Sequence, residues 1–186
     1  FPDSAFVPEA WVRMGDHAFD AVRPGSLEQA AAAFSRMKQW PDHALYARAI
    51  YKLGWTYYRL DDYGNAVDAF TRLLDHYQAE ARRTGRPPSG DVWPEAVQYT
   101  AISFADEKWG GVEKARAYYA KLGGRPYETE ILLRLGDVLF LMDGRLRFSR
   151  PIDELRAEAG GEKFGRLVAR LMRDETPFPP TPTADP

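Results

Sequence analysis

The chain has 186 residues, of which 45% are hydrophobic and 28% charged, a composition typical of an ordinary globular protein and not of a disordered chain. The formal net charge of −2 provides no strong electrostatic field for nucleic acid or for an anionic membrane, so neither is expected as a partner. Cysteine is absent, which excludes disulfides, cysteine-ligated metal sites and thiol catalysis but leaves the cellular compartment open.

Three features of the sequence concern targeting to a membrane or a cellular compartment. No apolar run reaches the roughly 18 residues that a membrane-spanning helix needs, and no signal peptide is visible. The chain begins with Phe1 and not with Met, which favours a processed form, a fragment or an excised domain.

A first pair of helices is predicted near residues 8–40. Trp11 and Gly15 open one helix at helical spacing, and Ala30 and Phe34 mark its partner.

The clearest pair lies near residues 45–78, where two amphipathic helices flank a turn marked by Asp61 and Asp62. Gly54 lies in the middle of the first helix, where glycine costs about 1 kcal/mol relative to alanine. We therefore expect a ring of the partner helix to lie directly on the backbone at Gly54. The residues that carry the two apolar faces are Ile50, Leu53 and Tyr57, and Ala66, Phe70 and Leu73.

An insertion follows, from Glu80 to Val92. Its first part is expected to extend the second helix, and the glycines and prolines from Gly85 onward predict a loop. The insertion is either a tolerated loop or a docking loop whose contacts are Arg82, Arg83 and Arg86.

Two further pairs are predicted near 94–123 and 128–160, followed by a terminal helix at 162–174. The stretch 140–148 fits a β-hairpin or the end of a helix, and the helical period of the preceding leucines favours the helix. The terminal helix could cap the open end of a stack of repeats. Residues 175–186 form a proline-rich extended tail, either a linker or a proline-motif ligand. The residues that mark the two pairs are Val97, Ala101, Ala115 and Tyr119, and Leu132, Leu135 and Gly136; Pro151 fits the first turn of the second helix of the last pair.

This pattern resembles the tetratricopeptide repeat (TPR) family. A TPR unit carries Leu-Gly and an aromatic residue on its first helix, helix A, and Ala-x-x-x-Phe on its second, helix B. The second pair matches at Leu53, Gly54, Tyr57, Ala66 and Phe70. The resemblance implies an all-α, TPR-like solenoid of about four helix–turn–helix hairpins with a C-terminal capping helix, spanning residues 1–174. Longer phrases, such as WPEAVQYTAISFADEKW, are similar to TPR proteins of bacterial cell envelopes near gliding-motility or secretion machinery.

The sequence offers no catalytic, cofactor or metal site. The three histidines, His17, His43 and His76, lack metal-ligand spacing and are expected on the surface, and no phosphate-binding loop occurs. The carboxylate pairs at 61–62 and 106–107 lie at turns and helix ends. We expect no enzyme and no cofactor.

The resemblance also implies a binding surface, because helix A lines the concave face in TPR proteins. Tyr51, Trp55 and Tyr58 share one helix face, and tryptophan and tyrosine beside arginine are typical of binding hot spots. These rings either face the groove or are buried by neighbouring repeats. The residues expected to bind a partner are Asp16, Phe19, Arg48, Tyr51, Trp55, Tyr58, Arg59, Gln98, Ile102, Asp137 and Phe140, and the same lining positions include Val12, Glu95, Asp106 and Leu133.

The implied function is a non-enzymatic protein–protein interaction scaffold or adaptor within an assembly. The alternative is a structural accessory subunit bound through its outer surfaces. A clamp for a C-terminal carboxylate is not expected, because Asp16, Trp55, Ile102 and Asp137 occupy its positions. A helix or extended peptide with apolar anchors and some basic residues suits the lining better. The resemblance favours a bacterial periplasm or cell envelope, and the cytoplasm stays open.

Overall fold

A computed structural model describes residues 4–88 and 91–143 of the chain. Within these residues it contains seven α-helices, one short 3-10 helix and no strand, so the all-α expectation is confirmed. Apart from the last residue of the seventh helix, these helices belong to the first of two compact units, which ends at Met142. The helices are α1 (Val7–Asp20), α2 (Ser26–Ser35), the 3-10 helix (Arg36–Gln39), α3 (Tyr46–Arg59), α4 (Tyr63–Thr84), α5 (Trp93–Ala105), α6 (Val112–Lys121) and α7 (Glu128–Asp143).

Consecutive helices pack against each other. α1 packs on α2 and α3 on α4, and α2–α3 and α4–α5 contacts join neighbouring pairs, as in a solenoid of helical hairpins. The core between them contains fully buried Phe34, Leu53, Phe70 and Phe104. The predicted capping helix at 162–174, the tail at 175–186 and the residues of the fourth pair after 143 lie outside the described residues.

Two glycines let phenylalanine rings lie on bare helix backbone. A Cβ atom built on Gly54 would lie 2.5 Å from Cε1 of Phe70, and one built on Gly15 would lie 2.5 Å from Cε1 of Phe34. Side-chain carbons do not approach this closely, so each site requires glycine. The ring expected on Gly54 is therefore present, and the first pair repeats the arrangement.

The turn between α3 and α4 is built by its two aspartates. Asp61 has a positive φ of 55°, and Asp62 caps α4 by accepting a 3.2 Å hydrogen bond from the backbone N–H of Asn65. α4 continues to Thr84 and ends where Gly85 takes up a left-handed conformation with φ 69°. The insertion therefore extends the helix as expected, and Arg82 and Arg83 lie in its last turn and not in a loop. Only Arg86 of the expected loop arginines lies beyond it.

The third pair is closed by a compact turn. Asp106 Oδ1 accepts hydrogen bonds from the backbone N–H groups of Lys108 and Trp109, at 3.1 and 2.7 Å. The Trp109 ring then stacks on Phe104 with 5.5 Å between ring centroids. Asp106 therefore organises its own turn, consistent with its predicted place at a helix end. α7 remains helical through residue 143, as the leucine period favoured.

Candidate functional site

Side chains from α1, α3 and α5 meet along one side of the helical stack. We call this surface the A-helix face, because each of these helices is the first of its pair. It consists of Asp16 and Phe19 on α1, Arg48, Tyr51, Lys52, Trp55, Tyr58 and Arg59 on α3, and Glu95, Gln98, Tyr99 and Ile102 on α5.

An ionic cluster joins α1 to α3. Asp16 Oδ2 lies 2.8 Å from Nη2 of Arg48, and Asp16 Oδ1 lies 2.6 Å from Nζ of Lys52. The Asp16 and Lys52 side chains are each 23% exposed, so this cluster is only partly screened by solvent. Asp16 is thus neutralised by two cations of the chain itself, and the sequence analysis had not included Lys52.

A cation–π contact strengthens the same junction. The Arg59 guanidinium lies 4.7 Å from the ring centroid of Phe19, and Lys52 Nζ lies 5.3 Å from it. Arg59 Nη1 also donates a 3.2 Å hydrogen bond to the Phe19 carbonyl. Phe19 is half-buried, so part of its ring remains accessible.

An aromatic cluster joins α3 to α5. The Trp55 ring lies 4.1 Å from Tyr99 between centroids, and Tyr58 lies 5.1 Å from Tyr99 and 5.8 Å from Trp55. All three rings are half-buried. The burial alternative therefore holds in part, because the three rings pack on one another between α3 and α5, and the cluster remains partly exposed. Sequence reasoning missed Tyr99, because it lies next to the lining positions implied by the resemblance and not on one.

A hydrogen bond completes the α3–α5 contact. The Tyr51 hydroxyl donates to Glu95 Oε2 at 2.6 Å. Burial, reinforced by this bond, raises the pKa of Tyr51 to about 12, and burial also raises the pKa of Tyr58. Both phenols are therefore neutral hydrogen-bond donors at physiological pH.

The remaining expected residues differ in exposure. Gln98 is exposed and Ile102 half-buried, so both are accessible on α5. Asp137 lies 3.5 Å from Arg134 on α7. Phe140 lies within α7, but its side chain lies outside the described part of the structure.

Val12 and Leu133 were also expected to line the binding surface. Val12 was wrong as a lining residue: it is only 2% exposed, because that face of α1 packs into the core. Leu133 is half-buried on α7.

The three carboxylates that suggested basic residues in a partner are each engaged within the chain. Asp16 is paired with Arg48 and Lys52, Asp106 accepts hydrogen bonds from the backbone of its own turn, and Asp137 lies 3.5 Å from Arg134. The expectation of basic residues in a partner rested on these carboxylates being available. The aromatic rings are the more accessible feature of the face.

The histidines do not form a site. Among the described residues no group of three or more potential metal ligands occurs. His17 is exposed, and Nδ1 of His43 accepts a 3.1 Å hydrogen bond from the backbone N–H of Leu45. His76 differs from the surface expectation, because its ring packs 4.8 Å from Tyr46 and is half-buried.

The central helical pair matches a known family. Residues 48–78 match the family model described as Tetratricopeptide repeat. The matched segment begins in α3 at Arg48 and ends in α4, so it contains the contact of Gly54 with Phe70 and the Tyr51, Trp55 and Tyr58 side chains. The match supports a TPR protein. No curated protein and no solved structure matches the chain. No helix of the described residues is long and apolar enough to cross a membrane.

Proposed function

We propose that this chain is a non-enzymatic scaffold that holds a protein partner on the A-helix face. TPR repeats generally mediate protein–protein interactions and are generally not catalytic, and the matched segment supplies the central part of this face. The proposal includes hairpin units near 8–40, 45–78, 94–123 and 128–160, of which the second is the matched one. On the likeness of its phrases, we extend the proposal to an assembly of a bacterial cell envelope.

The half-buried aromatic cluster carries the proposal. Trp55, Tyr58 and Tyr99 are held in place by one another and by their helices, so little conformational entropy is lost when a partner covers them. Aromatic rings with one accessible side are the usual anchors of protein interfaces. Arg59, fixed on Phe19, adds an oriented cation at the edge of this surface.

The chemistry of the partner follows from which groups of the A-helix face remain available to bind it. Asp16 is neutralised by Arg48 and Lys52, so a basic partner would have to compete with these two cations for it, and one oxygen of Glu95 already accepts from Tyr51. Apolar side chains of a helix or an extended segment would pack on the rings without that competition. We therefore propose a partner segment anchored by apolar residues.

The test uses variants of the face in the full chain. Partner proteins are recovered with the chain from its native source after mild crosslinking. The Tyr58→Ala substitution should reduce recovery of the defined partner strongly, because it removes one of the rings that pack against Trp55. Gln98→Arg should do the same without touching the core, because Gln98 is exposed.

A matched control separates binding from folding. Tyr77→Ala removes another half-buried tyrosine, which packs against Trp93 at 6.4 Å and lies outside the A-helix face. It should leave partner recovery unchanged. If all three variants retain the partner at fixed stoichiometry, the A-helix face is not the binding surface, and the alternative of a structural subunit bound through its outer surfaces replaces the proposal.

A further inference from the structure

A polar cleft lies between the C-terminal half of α4 and the connection from α6 to α7. Its volume is about 310 Å³. On α4 it is lined by Asp75, Gln78, Ala79 and Arg82, which are spaced i, i+3, i+4 and i+7 and so share one helix face. Residues 124–126 line its other side. None of these residues belongs to the A-helix face.

One side of the cleft is held rigidly by Arg125. Its Nε donates to both carboxylate oxygens of Asp75, at 2.8 and 3.1 Å. Its Nη1 donates to the carbonyls of Leu122 and Gly124, at 2.6 and 2.9 Å. Asp75 Oδ1 also accepts a 2.6 Å hydrogen bond from the Tyr127 hydroxyl. Asp75 is therefore satisfied within the chain and acts as a support for Arg125.

The cleft retains unused hydrogen-bond donors. Among the residues that the structure describes, the side chains of Arg82 and Gln78 take part in no hydrogen bond or ion pair, and the same is true of the Nη2 group of Arg125. A guanidinium group has donors and no acceptor, so the complementary ligand is an oxyanion. The charged side chains of the cleft are two arginines and one aspartate, which leaves a single excess positive charge.

We propose that this cleft binds a carboxylate side chain, a glutamate or aspartate of a partner protein, between Arg82 and Arg125. One negative charge matches the single excess positive charge of the cleft. A phosphate group carries a charge of about −1.5 to −2 at neutral pH. Its charge and that of Asp75 together would exceed the positive charge of the two arginines. In this arrangement the Nη2 group of the anchored Arg125 donates to one carboxylate oxygen, and the Arg82 guanidinium donates to the other.

The experiment titrates the isotopically labelled full chain and follows its backbone amide signals by NMR. The probe is N-acetylglutamate α-amide, which carries a single side-chain carboxylate. We expect saturable shifts of the Gly124 and Gln78 signals. The glutamine analogue of the probe, which lacks the charge, should produce none. Inorganic phosphate at the same ionic strength should bind more weakly than the carboxylate.

Two neighbouring arginines provide a matched pair of variants. Arg82→Gln should weaken binding of the probe about tenfold, because one charge-assisted hydrogen-bonding group is lost. Arg83→Gln should leave it unchanged, since Arg83 lies 3.8 Å from Glu80 and does not line the cleft. Gln78→Ala provides a second cleft variant and should weaken binding by a smaller factor. The side chains of Arg82 and Gln78 form no hydrogen bond or ion pair within the described structure, so these two variants should keep the wild-type melting temperature.

Several outcomes would overturn this inference. They are the absence of saturable shifts, equal shifts with the uncharged analogue, equal weakening by Arg82→Gln and Arg83→Gln, and tighter binding of phosphate than of the carboxylate. Because the cleft and the A-helix face share no residue, failure here would leave the proposed scaffold function untouched.

Discussion

The substitution Gly54→Ala tests the contact on which the central hairpin depends. The new Cβ would lie 2.5, 2.7 and 2.8 Å from three carbons of the Phe70 ring, whereas ordinary carbon contacts begin near 3.4 Å. The ring is fully buried and cannot move by the roughly 1 Å required without displacing its neighbours.

The magnitude follows from two opposing effects. Alanine in place of glycine in a helix stabilises by roughly 0.5–1 kcal/mol, and overpacking a core costs about 1–3 kcal/mol or more. The clash at Gly54 involves three ring atoms at once, so we expect the upper end of that range and a net loss of about 2 kcal/mol. For a chain of this size that corresponds to roughly 4–8 °C in melting temperature.

The assay is urea and thermal unfolding followed by circular dichroism. Gly64→Ala is the matched control, because a Cβ there would lie 3.4 Å from its nearest neighbour, Nε1 of Trp109, which is ordinary contact. That variant should be neutral or slightly stabilised. A Gly54→Ala protein as stable as the wild type would refute the close approach of α3 and α4. The double variant Gly54→Ala/Phe70→Leu should lose less stability than the two single changes together.

Three further predictions concern contacts between repeats. Asp16→Asn should lower the free energy of unfolding by about 1 kcal/mol in denaturant titrations, because it removes the charge that pairs with Arg48 and Lys52. The loss should be smaller in 1 M salt, which screens the ion pairs. An unchanged free energy of unfolding at low salt would contradict the ionic cluster. The free energy of unfolding should fall as the pH rises from about 10, where Tyr51 ionises in the unfolded chain, to about 12, where it ionises in the folded one. The free energy of unfolding of Tyr51→Phe, measured over the same range, should fall less steeply, and equal slopes would argue against the raised pKa of Tyr51 that burial and the Glu95 hydrogen bond produce. Tyr127→Phe should cost about 2 kcal/mol in urea unfolding, because Asp75 loses a buried hydrogen-bond donor, and a neutral effect would contradict that contact.

Local patterns predicted much of the fold. The helical periods and the turn residues indicated the hairpin from α3 to α4, and the cost of glycine inside a helix predicted the ring at Gly54. The same reasoning predicted that the helix would continue into the insertion after Glu80. These features depend on residues a few positions apart, where spacing fixes which side chains share a face.

The contacts between repeats could not be predicted in this way. Asp16 meets Lys52, and Asp75 meets Arg125, across 36 and 50 positions of the chain. No helical period relates residues so far apart in the chain. The lining positions that the TPR resemblance implies also missed Tyr99, which is the residue next to Gln98. The helical spacing therefore indicated which side chains share one face of α3, but not that Asp16 on α1 is paired with two cations of that helix.

The most direct test of the scaffold proposal is site-specific photocrosslinking in the native source. A photoreactive residue is placed at Gln98, which is exposed on the A-helix face, and in separate chains at Glu28 and Arg83, which are exposed on α2 and α4. The account predicts that the probe at position 98 crosslinks to a defined partner protein and that the other two do not. Crosslinks of equal yield from all three positions, or crosslinks from positions 28 and 83 alone, would contradict it.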